Sequence, residues 1–343
     1  MKKALFIGGT GTISSAITRL LASMPGWELT LLNRGSRNGT LPPGVRTICC
    51  DINDEAEAAR LTAGMTFDVV ADFVGFVPEH VRRDYRLFAG RTAQYIYISS
   101  ASAYQKPLQN YLVSESTPLS NPFWEYSRNK IACEMFLNDM YRSNGFPVTI
   151  IRPSHTYGER SIPLGVHGRH GSWQVARRML DGKQVILHGD GTSLWTFTHN
   201  TDFAKGFVGL MGNPHAIGDT FQIMSDETVT WNQAYQSIAD ALGVELKPFY
   251  VSSAFLARCS DYDFMGGLCG DKATSVVFDC SKLKRAVPGF CATVRFDEGI
   301  RQTVAHILAH PELQTPDPAF DRWCDRVIAA QEAALRQVTE KSR

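Results

Sequence analysis

The opening stretch ALFIGGTGTISSAITRLL constrains the fold most, because a β-rich run passes through glycines directly into a helical pattern. Ile13, Ile17, Leu20, Leu21 and Met24 recur at helical spacing, so one face of the second element can pack back on the first. A strand that turns this tightly into a helix needs backbone free of side chains. Gly8, Gly9 and Gly11 supply it, in the spacing G-x-x-G-x-x-S, with Ser14 where a third small residue lets helix and strand approach. N–H groups at a helix N-terminus lack intrahelical partners and favour anions. Gly8, Gly9, Thr10, Gly11, Thr12 and Ile13 are therefore predicted to cradle a pyrophosphate. The alternative, a bare glycine-rich turn, is weakened by the strand before it and the helix after it.

Further β-rich runs follow at WELTLL, VRTICC, FDVVADFV, AQYIYISS and PVTIIRP, with helical stretches between them. Alternation of this kind is the pattern of an α/β chain whose parallel sheet is doubly wound, here with six strands. Beyond Pro153 the pattern loosens into YGERSIPLGVHGRHGSW, a helix through VARRML and a β-like QVILHGD. The chain then returns to the sheet around FTHNTDFAKGFVGLM. A helix at WNQAYQSIADALG, a strand near KPFYVSS and a helical tail complete it. The predicted division is a dinucleotide-binding domain over 1–155, with a return segment at about 192–230, and a smaller interleaved α/β lobe from 156–191 and 231–343.

A length of 343 residues suffices for a large core. The apolar runs fall short of the roughly 20 residues that span a bilayer, and MKKALFIGG meets glycines where a secretory signal needs an apolar centre, so the expected location is the cytoplasm. Eight cysteines without a C-x-x-C pair or matching histidines argue against a zinc site or a disulfide framework, and no metal is expected. A formal charge of +1 with no long basic block lacks the footprint of a dedicated nucleic-acid binder.

The end of the second strand decides which adenosine a dinucleotide site accepts, because a carboxylate there holds the ribose 2′-hydroxyl and repels a 2′-phosphate. This chain has Asn33-Arg34-Gly35-Ser36-Arg37 instead, which favours NADP over NAD; Arg34 lying in solvent is the competing reading. Asp51 after the third strand can take the adenine amino group, or else cap the helix that follows. Ile52, Phe73, Val74 and Pro153, each near a strand end, complete the expected cofactor wall.

Tyr126 and Lys130 are four residues apart in WEYSRNK and share a helix face. A phenol with a pKa near 10 is a poor base at neutral pH, but an adjacent ammonium stabilises the phenolate. Tyr126 then becomes a usable acid or base, both it and Lys130 can reach a nicotinamide ribose, and Ser100 in YISSASAY can hydrogen-bond the reacting oxygen.

These residues resemble the extended and atypical short-chain dehydrogenase/reductases, in particular the NAD(P)-dependent epimerase/dehydratase family. GGTGTIS, Asp51-Ile52, DVVADFVG, YISSASAY, Tyr126-x-x-x-Lys130, IRPSHTYG, HGDGTSLWTFTHNTD and GIRQTVAHI stand in that family's order. The resemblance implies a Rossmann domain, a small substrate lobe, sugar substrates that are often nucleotide-linked, and a homodimer formed through helices including that of Tyr126.

Departures from the family narrow the chemistry. Ala101 and Ser102 stand where its dehydratases carry an Asp-Glu pair, which disfavours elimination of water. HVRRDYRLFAGR replaces a longer helical segment, as in an atypical subgroup. Trp195 stands where nucleotide-sugar enzymes place an arginine for the diphosphate, so a free sugar or glycoside gains weight unless Arg160, Arg169, Arg177 or Arg301 substitutes. Expected substrate residues are Ser102, Tyr104, His155, Trp173 and Trp195, with interior packing as the alternative for Tyr104, His155 and Trp173; His199 is expected to be structural. The leading expectation is a sugar epimerase working through a transient ketone. A net dehydrogenase or ketoreductase needs the same three residues, and a non-catalytic RNA-binding or NADP-sensing protein is the reading from another class.

Overall fold

The computed structural model describes residues 1–37, 39, 41–259 and 262–340, so 260–261 and 341–343 of the lobe expected from sequence lie outside the described residues. The chain divides into two compact units. The first comprises Met1–Tyr157, Thr196–Thr228 and Val276–Val294. The second comprises Gly158–Trp195, Val229–Ser275 and Arg295–Arg343.

A seven-stranded sheet forms the centre of the first unit. Its strands are β1 (Lys2–Ile7), β2 (Trp27–Asn33), β3 (Arg46–Cys49), β4 (Val69–Asp72), β5 (Tyr95–Ile98), Val148–Arg152 and Thr220–Gln222. Across the sheet they run Thr220–Gln222, Val148–Arg152, β5, β4, β1, β2, β3, and every pairing is parallel. The order reverses direction beside β1, which places the switch point of a Rossmann sheet at the carboxyl ends of β1 and β4, where such sheets bind ligands. The seventh strand comes from the return segment and was not predicted as a strand. It pairs Phe221 with Ile151 and so extends the sheet by one edge.

Both faces are covered, which is why β4, β5 and Val148–Arg152 are rich in apolar residues and buried throughout, Asp72, Thr149 and Arg152 included. On one face α1 (Thr12–Ala22) and the helix Asn200–Leu210 bring Ile17, Leu21, Phe203, Phe207 and Leu210 against Phe6, Leu29, Leu31 and Ala71. On the other, α2 (Glu55–Leu61), α3 (Pro78–Phe88) and α4 (Glu125–Asn144) bring Ala58, Val81, Leu87, Phe88, Cys133 and Leu137 against Leu5, Ile7, Val70 and Tyr95. Each fully buried side chain of this size contributes roughly 1.5–3 kcal/mol relative to exposure, so two continuous clusters hold the strand ends rigidly in register. Gly145, with φ +66°, ends α4 in the left-handed region that favours glycine.

In the second unit the helix Trp173–Leu180 leads into the strand Val185–His188, which pairs in parallel with Pro248–Val251. The helix Trp231–Leu242 opens on a capping box between Thr230 and Gln233, and the unit ends in helices Phe296–Ala309 and Pro318–Glu340.

Candidate active site

The glycine turn between β1 and α1 is built as the sequence requires. Gly8 has φ +84°, and a Cβ there would lie 2.5 Å from Val74 Cγ1. At Gly9 a Cβ would lie 2.5 Å from Leu31 Cδ2, so that glycine allows α1 to close on β2. Ser14 does more than fit. Its hydroxyl donates to Gly8 O at 2.7 Å and accepts from Gly11 N at 2.8 Å, stapling the turn from inside the helix. Thr18 Oγ1 donates to Gly9 O at 2.8 Å, and Asn200 Nδ2, from the return segment, donates to Thr12 O at 2.9 Å.

A cavity of about 610 Å³ opens at this turn. Its wall contains Gly8, Thr10, Gly11, Thr12, Ile13, Asn33, Arg34, Asp51, Ile52, Phe73 and Val74, all expected from sequence. Ser36, Arg37, Cys50, Asn53, Phe76 and His80 line it as well. Phe76 and His80 carry no signal in the sequence; they arrive because the turn after β4 and the first turn of α3 fold over the switch point. Gly9 and Pro153, also expected there, are not among the lining residues; Gly9 packs on Leu31, and Pro153 O accepts from Ala101 N at 2.8 Å. Asp51 does not cap α2. Asp54 does so, accepting from Glu57 N at 3.1 Å, while the Asp51 carboxylate accepts from Asn53 N in its own turn at 3.0 Å.

The cavity fits a dinucleotide by its chemistry. Asn33 turns its carbonyl to Gly35 N at 2.9 Å, leaving Nδ2 a buried donor with no hydrogen-bond partner among the described residues. Arg34 and Arg37 are exposed at the same end, and Arg37 also reaches Thr10 O at 3.4 Å. A Cβ at Gly8 would intrude where the phosphate cradle approaches β4. Glycine turn, unsatisfied amide and paired guanidinium groups together suit a phosphorylated ribose and a diphosphate.

Beyond the cavity, α4 positions the phenol and the amine. Lys130 is 2% exposed, and its ammonium donates to Gly75 O at 2.6 Å and Ile98 O at 2.7 Å. The rings of Tyr97, Phe76 and Tyr126 surround it at 4.9, 5.0 and 5.7 Å. Burial pulls its pKa down to about 8, against Asp72, Cys133 and Glu134, which favour the charged form. The sign follows directly. From about pH 8 to the ordinary value of 10.5 the unfolded chain holds more protons at this lysine than the folded one, so this group's contribution to stability rises with pH there.

Tyr126 is half-buried, its ring 4.8 Å from that of Trp124. Ser127, next to it, ties the helix to the loop after β5. Its hydroxyl donates to Ser102 Oγ at 2.7 Å, and Ser102 Oγ lies 2.9 Å from Ser100 Oγ. Ser102 N also donates to Ser100 Oγ at 3.2 Å. A serine oxygen has two lone pairs. Ser102 N occupies one of them on Ser100, and between the two hydroxyls either can donate. Hydrogen bonds through Ser127, Ser102 and Ile98 thus tie α4, which carries Tyr126 and Lys130, to the end of β5 and the loop of Ser100.

The expected substrate residues divide. Ser102 is 3% exposed and spends its hydroxyl on Ser100 and Ser127, so it supports the site from inside. Tyr104 is also interior: its hydroxyl donates to Gln222 Oε1 at 2.9 Å and the Arg152 guanidinium covers its ring. His155 is half-buried with its ring 5.2 Å from Phe197, and His199 is interior, Nδ1 lying 2.7 Å from Thr201 Oγ1. Within the second unit, Trp173 opens its helix and Trp195 packs against Trp231 at 5.8 Å with its Nε1 buried and unpartnered among the described residues. Of the four candidate arginines there, Arg177 and Arg301 are held by Asp181 and Asp297 on their own helices.

The family model described as NAD dependent epimerase/dehydratase family matches residues 4–223. The chain belongs to that family. It is an NAD(P)-dependent enzyme of the short-chain dehydrogenase/reductase type. Among named relatives, 2'-dehydrokanamycin reductase of Streptomyces kanamyceticus is 24% identical over 84% of this chain and 80% of its own length. The chloroplast stem-loop binding protein of 41 kDa b of Arabidopsis thaliana is 26% identical over 71% of this chain and 64% of its own length. The crystal structure of UDP-glucuronic acid 4-epimerase from Bacillus cereus in complex with NAD superposes with a TM-score of 0.72 at 17% identity, covering 91% of this chain and all (100%) of that one, a likeness of fold. No helix among the described residues is long and apolar enough to cross a membrane.

Proposed function

We propose that this chain interconverts a carbinol and a ketone on a sugar or sugar derivative, and that it does so as a net NADP-dependent ketoreductase. The observation that carries the chemistry is the linkage of Ser100, Tyr126 and Lys130 beside a cavity fitted to a dinucleotide. When bound, the nicotinamide supplies and accepts hydride. Tyr126 gives its proton to the ketone oxygen as that oxygen gains charge, or removes it in the reverse direction. The Lys130 ammonium, held on two carbonyls, stabilises the phenolate left behind. Ser100 donates its hydroxyl proton to the same oxygen, with Ser102, itself receiving the Ser127 proton, free to donate to Ser100 in turn, which fixes the carbonyl against the phenol.

Two features favour net reduction over the epimerase expected from sequence. Arg34, Ser36 and Arg37 line the cavity where a 2′-phosphate would sit, and a relative aligned over 84% of this chain is named a reductase. The epimerase reading keeps the support of the family itself. RNA binding, suggested by the name of another relative, is opposed by a net charge of +1. Purified protein supplied with NADPH and keto-sugars should consume reduced cofactor in step with alcohol formed. Sugar epimerised with no net change in a cofactor that survives gel filtration would replace this reading with epimerisation, and inertness to both would overturn it.

Cofactor choice is separately testable. Arg34→Ala should weaken NADP binding by about 10- to 100-fold, the scale of a charge-assisted contact to phosphate, and NAD binding far less. Equal losses in titrations of both cofactors would contradict the assignment.

A further inference from the structure

Behind the cofactor cavity lies a buried set of charges that the chemistry above does not use. Asp72 and Asp84 are fully buried (0% exposed), and so are their surroundings: Tyr95 at 0%, Lys130 at 2% and Arg83 at 4%. Arg83 takes Asp84, with Nε and Nη2 each 2.8 Å from Oδ1, and its Nη1 donates to Asn53 on the cavity wall at 2.7 Å. Tyr95 has one hydroxyl proton for two carboxylates. It lies 2.9 Å from Asp84 Oδ2 and 3.3 Å from Asp72 Oδ2, so Asp84 is the better placed acceptor. Glu134, on the helix of Lys130, is committed to Arg152 through contacts of 2.9 and 2.6 Å. Two buried cation–carboxylate pairs are thereby accounted for. Asp72 and Lys130 are what is left.

Both meet at one turn. Asp72 Oδ1 accepts from Val74 N at 2.8 Å, closing the turn after β4, and the next carbonyl on, Gly75 O, receives the Lys130 ammonium. A Cβ on Gly75 would collide with the Asp72 carboxylate and stand 2.9 Å from the Tyr97 ring, so glycine lets carboxylate and ammonium approach the same residue from two sides. We infer that Asp72 is a positioning residue for Lys130: its carboxylate is the buried counter-charge of the ammonium, and the turn it closes presents the carbonyl on which that ammonium rests. The inference rests on the reading of Lys130 as the partner of Tyr126.

The other titratable groups near Lys130 do not replace it. Burial pushes the Tyr97 phenol well up and the Cys133 thiol up, so both are neutral near pH 7. Burial and the Asp72 charge raise Asp84, which already faces Arg83. Tyr126 is the group to be served. Glu134 acts on Lys130 after Asp72 and Cys133 and is neutralised by Arg152.

Asp72→Asn is the test, since an amide keeps an oxygen for Val74 N and removes only the charge. The Lys130 Cε signal in carbon-labelled full-length protein, identified by its loss in Lys130→Met, should titrate lower by roughly one to three pH units in Asp72→Asn. Turnover at pH 7 should fall with KM little changed, and the alkaline limb of its pH profile should move down by the same interval. An unmoved Lys130 midpoint overturns the inference, whatever happens to turnover. A moved midpoint with unchanged turnover upholds Asp72 and instead removes Lys130 from the mechanism. Should Asp72→Asn fail to fold, Asp72→Ser removes the same charge while keeping an oxygen on the side chain, and an unmoved Lys130 midpoint in that variant would equally overturn the counter-charge.

Discussion

Tyr126→Phe should lower turnover by about 10²- to 10⁴-fold, the range for loss of a positioned general acid or base, while cofactor affinity stays nearly unchanged. The separation is expected because the ring packs on Trp124 and lies over Lys130, contacts that phenylalanine retains, whereas only the hydroxyl reaches the reacting oxygen. Lys130 keeps its two carbonyls in either case. Steady-state rates with NADPH and a keto-sugar, set beside a titration of cofactor fluorescence, measure both quantities. A variant with wild-type turnover would remove the phenol from the chemistry, and one that failed to bind cofactor would give Tyr126 a packing role.

Gly8→Val should abolish usable cofactor binding while leaving the sheet assembled. Its φ of +84° costs a β-branched residue roughly 1–3 kcal/mol, and the new Cβ would meet Val74 on the opposite wall. Strain and obstruction act on the same turn. Dinucleotide affinity is therefore expected to fall by roughly two orders of magnitude or more, with a lowered thermal midpoint. Circular dichroism tests whether the fold survives, and calorimetric titration gives the affinity. Near-normal binding by this variant would mean that the diphosphate does not lie on this turn.

The sheet was legible because each strand is a short apolar run between turn residues, and because Gly8, Gly9 and Gly11 follow the first of them. Thr220–Gln222 was not, since three residues carry no period. It becomes a strand only by pairing with Val148–Arg152. The Tyr126 to Lys130 spacing gave the shared helix face, but not the carbonyls that hold the amine, which come from Gly75 and Ile98, 55 and 32 residues away. Burial of polar side chains was the least readable property. Ser102 and Tyr104 sit in a loop whose pattern permits either direction, and Tyr104 turns inward to Gln222, 118 residues distant. Asp72 lies inside the apolar run FDVVADFV, whose pattern gives no sign of a buried charge, yet it is enclosed where α3 brings Arg83 and Asp84 to Tyr95, whose hydroxyl also lies 3.3 Å from Asp72. Asp51 is the cap that the sequence offers for α2, but the helix begins three residues later and Asp54 caps it instead.

In the proposed reaction hydride leaves a carbinol carbon for nicotinamide as the Tyr126 oxygen takes the hydroxyl proton. A sugar that turns over, carrying deuterium at that carbon, should be mixed with excess enzyme and oxidised cofactor while reduced-nicotinamide absorbance is followed through a single turnover. The signal should form more slowly than with the unlabelled sugar in the wild type and be almost absent in Tyr126→Phe. Reduced nicotinamide forming equally fast in that variant, or an enzyme that converts the sugar with no such signal and no isotope effect, would contradict the account.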